Sequence, residues 1–74
     1  GINDVYISGN MRVYPNPSNS RIYILEATKG VSVFNMMGQE VFAKQEVESV
    51  DISNWENGVY FVKSGNSVVK IIKQ

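Results

Sequence analysis

Between positions 14 and 18 the chain reads Tyr14-Pro15-Asn16-Pro17-Ser18, and these two prolines restrict the fold more than any other feature. Each lacks an amide donor and fixes its own φ, so neither belongs inside a central ladder and the segment must form a corner. Most of the remaining chain carries strand signals. β-branched and aromatic residues recur in runs of four to seven, separated by Gly, Asn, Ser and Pro. Strands are expected at 5–7, 11–14, 21–26, 31–35, 40–44, 47–52, 59–63 and 68–73. Lys29-Gly30, Met37-Gly38 and Gly65-Asn66 each supply a residue that tolerates positive φ at a turn. Ser64-Gly65-Asn66-Ser67 joins two strongly apolar runs and predicts a hairpin. Ser53-Asn54-Trp55-Glu56 fits a capping box, which predicts one short helical turn ended by Gly58, with Trp55 plugging one end of the core.

Alternation assigns the faces. Ile22 and Ile24 share one side of their strand, as do Val31 and Val33, and Val50 and Ile52. These are expected in the core with Val41, Trp55, Tyr60 and Val62. The last strand is different, because Val69 and Ile71 lie on one face while Val68 and Ile72 on the other are also apolar, with Lys70 between them. Such a strand is either covered on both sides or a docking surface that uses exposed apolar area or edge pairing. Lys63, Lys70 and Lys73 fit either recognition or protection of an edge against aggregation. Short strands without an amphipathic helix leave a sandwich or a small barrel. Of these we favour an all-β, immunoglobulin-like antiparallel β-sandwich of about seven short strands.

The chain has 74 residues, enough for one domain and one core, and it has neither Cys nor His. Disulfides and thiolate or imidazole metal sites are therefore excluded, as are the usual nucleophile–base pairs. Seven basic residues balance seven acidic ones, which argues against nucleic acid as a partner. No run approaches the roughly 18 apolar residues of a membrane-spanning helix. Glu46, Glu48 and Asp51 read as a solvated face, and 1–4 and 16–19 are too sparse in oxygen ligands for calcium. No glycine-rich phosphate motif occurs. An enzyme, a metal and a cofactor are thus not expected. Tyr23 and Phe34 fall opposite their aliphatic neighbours, so an exposed sugar-stacking platform is a rival reading of the aromatics. The start at Gly1, without a basic and apolar leader, suggests a piece of a longer precursor in which any export signal would lie upstream.

Five segments in order resemble the type A C-terminal sorting domain of the type IX (Por) secretion system. They are Val13-Tyr14-Pro15-Asn16-Pro17, the alternating Ile22-Tyr23-Ile24, and the strand and turn Val33-Phe34-Asn35-Met36-Met37-Gly38-Gln39-Glu40-Val41. Asp51-Ile52-Ser53 with Trp55, Gly58 and Tyr60 follows, and Lys70-Ile71-Ile72-Lys73 closes the series. Each motif is weak alone; their order and spacing make the resemblance specific. Trp55 stands where the family more often has Leu. The resemblance implies an immunoglobulin-like fold over residues 11–74, with 1–10 a linker from a passenger protein or an added edge segment at Val5-Tyr6-Ile7. It implies no cofactor and no transmembrane segment.

The implied partners are the type IX translocon and shuttle proteins of the outer membrane and a sortase-like transpeptidase in a Bacteroidetes-type bacterium. The domain would cross the inner membrane with its passenger, fold in the periplasm and be recognised by the translocon; on the cell surface it would be removed and the passenger joined to an anionic lipopolysaccharide. The recognised residues are expected to be Val68, Val69, Lys70, Ile71, Ile72, Lys73 and Gln74. Pro15, Asn16, Pro17, Gly38, Gly58 and Tyr60 are expected to hold the fold that presents them. A homodimer by strand swapping is a further expectation. The alternatives are an immunoglobulin-like spacer or adhesion module and a carbohydrate-binding module of a secreted protein.

Overall fold

The computed structural model describes residues 5–8, 11–25 and 30–74. Eight strands run β1 (Val5–Ser8), β2 (Arg12–Tyr14), β3 (Arg21–Leu25), β4 (Val31–Asn35), β5 (Glu40–Lys44), β6 (Ser49–Asp51), β7 (Gly58–Ser64) and β8 (Ser67–Lys73). They form a five-stranded sheet, β1-β8-β7-β4-β5, facing a three-stranded sheet, β2-β3-β6. Every pair of named strands is antiparallel. This is the all-β sandwich the strand pattern predicts, with β1 as the strand added by 5–7. Among the described residues there is no helix. The expected end of β3 at Glu26 and the first half of the Lys29-Gly30 turn lie outside the described residues.

The core follows from alternation. Val13, Ile22, Ile24 and Val50 from the small sheet meet Val31, Val33, Val62, Val69 and Ile71 from the large one, with Met11, Ile52 and Tyr60 also buried. Fully burying an aliphatic side chain contributes about 1.5–3 kcal/mol, so this cluster is the main source of stability. Among the described residues, no buried side-chain polar atom lacks a hydrogen-bond partner.

Two expectations change. Val41 is 42% exposed rather than in the core. The β4–β5 pairing sets Val33 opposite Phe42 and then slips, so that Phe34 faces Glu40. Cross-strand partners share a face, so Phe42 turns inward and Val41 outward. The segment 53–56 is a tight turn, not a helical one. Trp55 N donates to Ile52 O at 3.0 Å, and Asp51 Oδ1 accepts from Ser53 N at 2.9 Å and Ser53 Oγ at 2.7 Å. The aspartate therefore supplies the capping oxygen that Ser53 was expected to give. Trp55 does close one end of the core, its ring 5.0 Å from Tyr60 and 6.5 Å from Phe42.

Candidate partner-recognition surface

β8 pairs with β7 along its whole length, from Ser64↔Ser67 to Gly58↔Lys73. Period-two geometry separates its side chains. Val69 and Ile71 point into the core, and Lys73 on the same face is only 6% exposed. The Lys73 stem lies along the rim of the core, and Nζ donates to Asn57 Oδ1 at 3.2 Å and to Gln74 O at 3.1 Å. Val68 and Lys70 are half-buried on the outer face, Ile72 is 39% exposed and Gln74 is exposed.

These outward groups are not isolated. The register sets Val59 opposite Ile72, Phe61 opposite Lys70, and Lys63 opposite Val68. Phe34 on β4 stands beside Phe61, and Lys63 Nζ lies 5.6 Å from the Phe34 ring centroid. The outer face of β4, β7 and β8 is thus an apolar surface with two lysines set into it. At its end, Asn35 organises the β4–β5 turn. Its Oδ1 accepts from Met37 N at 2.9 Å and from Gln39 N at 3.0 Å, and Gly38 N donates to Asn35 O at 3.0 Å. Gly38 has φ 84°, a backbone that other residues rarely adopt, and the turn presents Met36 and Met37 to solvent. Gly58, at the start of β7, has φ 149°.

The other side of β8 is closed by two segments. β1 pairs with its first half, Val5↔Lys70, Tyr6↔Val69 and Ser8↔Val68. The proline corner takes the second half: Ser18 N donates to Ile72 O at 3.0 Å, and Gln74 N donates to Ser18 O at 2.9 Å. Asn16 adds Nδ2 to Lys70 O at 2.8 Å and accepts from Ile72 N on Oδ1 at 3.0 Å. Both X-Pro bonds of the corner, Tyr14–Pro15 and Asn16–Pro17, are cis. Free edge pairing along β8, one of the two docking routes expected, is therefore occupied from within.

The outer face of the small sheet is separate. Tyr14 and Tyr23 are 47% and 43% exposed and stack on each other, centroids 5.5 Å apart. Arg21 Nη1 donates to Ser49 Oγ at 3.0 Å, and Arg21 lies 4.0 Å from Asp51. The Ser53 hydroxyl and amide hold the Asp51 carboxyl below its ordinary value, with Arg21 adding a smaller effect in the same direction. Burial, followed by the nearby Glu56 carboxylate, pushes the Tyr60 phenol up, while its OH donates to Glu56 O at 2.7 Å.

This arrangement is suited to binding through a surface. Among the described residues, no group of three or more acidic side chains is placed to hold a metal ion. Among the same residues, no helix is long and apolar enough to cross a membrane. Of the seven residues expected to be recognised, six lie in β8, on opposite faces, and Gln74 follows it. Of the structural set, Asn16 bonds that strand directly with Pro15 and Pro17 on either side of it, Gly38 lies at the β4–β5 turn, and Gly58 and Tyr60 lie on β7. Sequence reasoning missed Phe61 as an outward neighbour and Asn16 as a partner of β8. A signal for Asn16 was present: with prolines on both sides, its side chain is the nearest source of an extra donor.

The family described as "Secretion system C-terminal sorting domain" matches residues 12–74. No curated protein and no solved structure matches the chain.

Proposed function

The chain belongs to the family of C-terminal sorting domains of the type IX secretion system, and on that premise we propose that an outer-membrane translocon reads it through the outward row of β8. Membership makes this a secretion signal, so the protein that carries it is exported and engages secretion machinery. The observation that carries the finer reading is the outer face where half-buried Val68 and Lys70 and exposed Ile72 join Val59, Phe61 and Lys63. Val69, Ile71 and Lys73 hold the strand in place from within, and the outward side chains with Gln74 meet the partner. Interfaces of this kind combine apolar contact with a few charges that fix orientation. Lys63 and Lys70 call for carboxylates set among apolar groups on the partner.

Residues 1–10 then connect the domain to its passenger. After delivery a sortase-like transpeptidase removes the domain and joins the passenger to anionic lipopolysaccharide at the cell surface. The test is a transplant: residues 1–74 fused behind a periplasmically exported fluorescent protein, in a host with a type IX system. Surface delivery with loss of the segment is the expected result. Retention of the folded, intact fusion in the periplasm rejects the reading. The exposed Tyr14–Tyr23 pair is the one observation that favours a second reading, sugar binding. Each ring gives one face to the other, and a glycan array with Tyr14→Ala as control decides that reading directly.

A further inference from the structure

The four hydrogen bonds between the corner and β8 follow one repeat. Ser18 donates through N to Ile72 O and accepts through O from Gln74 N, which is the pattern of a residue paired in parallel with Lys73. Asn16 donates through Nδ2 to Lys70 O and accepts through Oδ1 from Ile72 N, the same pattern two residues earlier and centred on Ile71. Its side-chain amide thus occupies the place of a backbone peptide group in a short parallel strand. The need for this is local. Pro15 and Pro17 have no N–H, so the backbone here has few donors to offer a neighbouring strand.

We propose that Asn16 is a positioning residue for the last strand: a side-chain substitute for one peptide unit, which closes the edge of β8 beyond the reach of β1 and fixes which side of the strand a partner meets. Without it, the Ile72 N–H, past the last residue that β1 pairs, becomes an open donor on the strand edge, available for pairing with another chain. Ile72 is also the most exposed apolar side chain of β8, so loosening its backbone disturbs the outward row itself. The last step rests on the function proposed above; the clamp does not.

The experiment measures residue-resolved amide exchange for the isolated 74-residue chain and its Asn16 variants, together with reporter delivery in the transplant. In Asn16→Ala, exchange at the Ile72 amide is expected to rise by about tenfold or more relative to an interior amide such as that of Val62. Asn16→Gln displaces the amide by one methylene and is expected to behave like Asn16→Ala. Asn16→Asp keeps the acceptor for Ile72 and loses the donor to Lys70 O, so it is expected to fall between them and serves if Asn16→Ala does not fold. Delivery of the reporter is expected to fall in the same order. Unchanged exchange at Ile72 in Asn16→Ala and Asn16→Gln overturns the clamp, whatever happens to delivery. Faster exchange with full delivery overturns the positioning role. If the unaltered segment itself fails to deliver, the functional reading fails, and exchange at Ile72 still decides the clamp.

Discussion

On the outer face of the three-stranded sheet, where Leu25 is also exposed, Tyr14 stacks on Tyr23 and Arg21 reaches Ser49 and Asp51. On the outer face of the five-stranded sheet, aromatic and aliphatic side chains alternate with Lys63 and Lys70, and Phe34, Val59, Phe61, Val68 and Lys70 are each only half-buried. Both faces are partly apolar, so apolar area alone does not distinguish them. What separates them is how the charges are matched: Arg21 meets a hydroxyl and a carboxylate on its own face, whereas Lys63 meets the Phe34 ring. A face that matches its own charge needs no partner for it, whereas the other gains by being covered.

The largest effects come from attacking the second face. Deleting residues 70–74 removes Ile71 from the core together with the outward row, and is expected to abolish both folding and delivery. The sharper variant is Phe61→Ser combined with Lys70→Glu and Ile72→Ser, which leaves the inward residues intact. It is expected to lower delivery by about tenfold or more, the scale of one or two interface hot spots, while thermal unfolding shows a retained cooperative transition. Full delivery by this triple variant would erase the distinction between the faces.

Ile71→Ala tests the inward side of the same strand. A cavity at a fully buried aliphatic position costs about 2–5 kcal/mol, readable in urea unfolding. Delivery should fall only in proportion to the unfolded fraction.

Tyr23→Ala probes the first face. It is expected to cost about 0.5–1.5 kcal/mol beyond the lost area, with delivery unchanged once folding is allowed for.

The smallest effects are in pH. Asp51 is depressed in the folded chain, so its contribution is present above the ordinary 3.8 and is lost as pH falls from there through the lower folded value. Tyr60 is raised, so its contribution is present below the ordinary 10.0 and is lost as pH climbs above it. Ser53→Ala should shrink the acid limb and Tyr60→Phe the alkaline one, both followed by thermal melts across pH.

The sandwich was legible because period two is a direct consequence of strand geometry, and Ile22-Tyr23-Ile24 or Val31 with Val33 show it without ambiguity. Val41 was not legible, since a slip in cross-strand pairing leaves no mark on the alternation of one strand. Lys73 shares a face with Val69 and Ile71, yet its charge suggested water; the buried stem and its contact with Asn57 depend on a loop sixteen residues away in sequence. Asp51 displaced Ser53 as the cap because both offer an oxygen at nearly the same place, and the local sequence does not rank them. The candidate surface was half legible. Its strand could be named, but the neighbours Phe34, Phe61 and Lys63 required the register.

The bonds between Asn16 and β8 join residues 54 and 56 positions apart in a chain of 74. Contacts that close so long a loop form late, because most of the chain's entropy must be lost before they stabilise anything. The corner near residue 16 is therefore expected to gain its contacts with β8 only after the segment 70–74 has docked. The two ends of the described sandwich thereby vouch for each other: a chain without β8 leaves the Asn16 amide and the Ser18 backbone without the strand they close, so whatever reads the outer face of β8 reads a fold joined across almost its whole length.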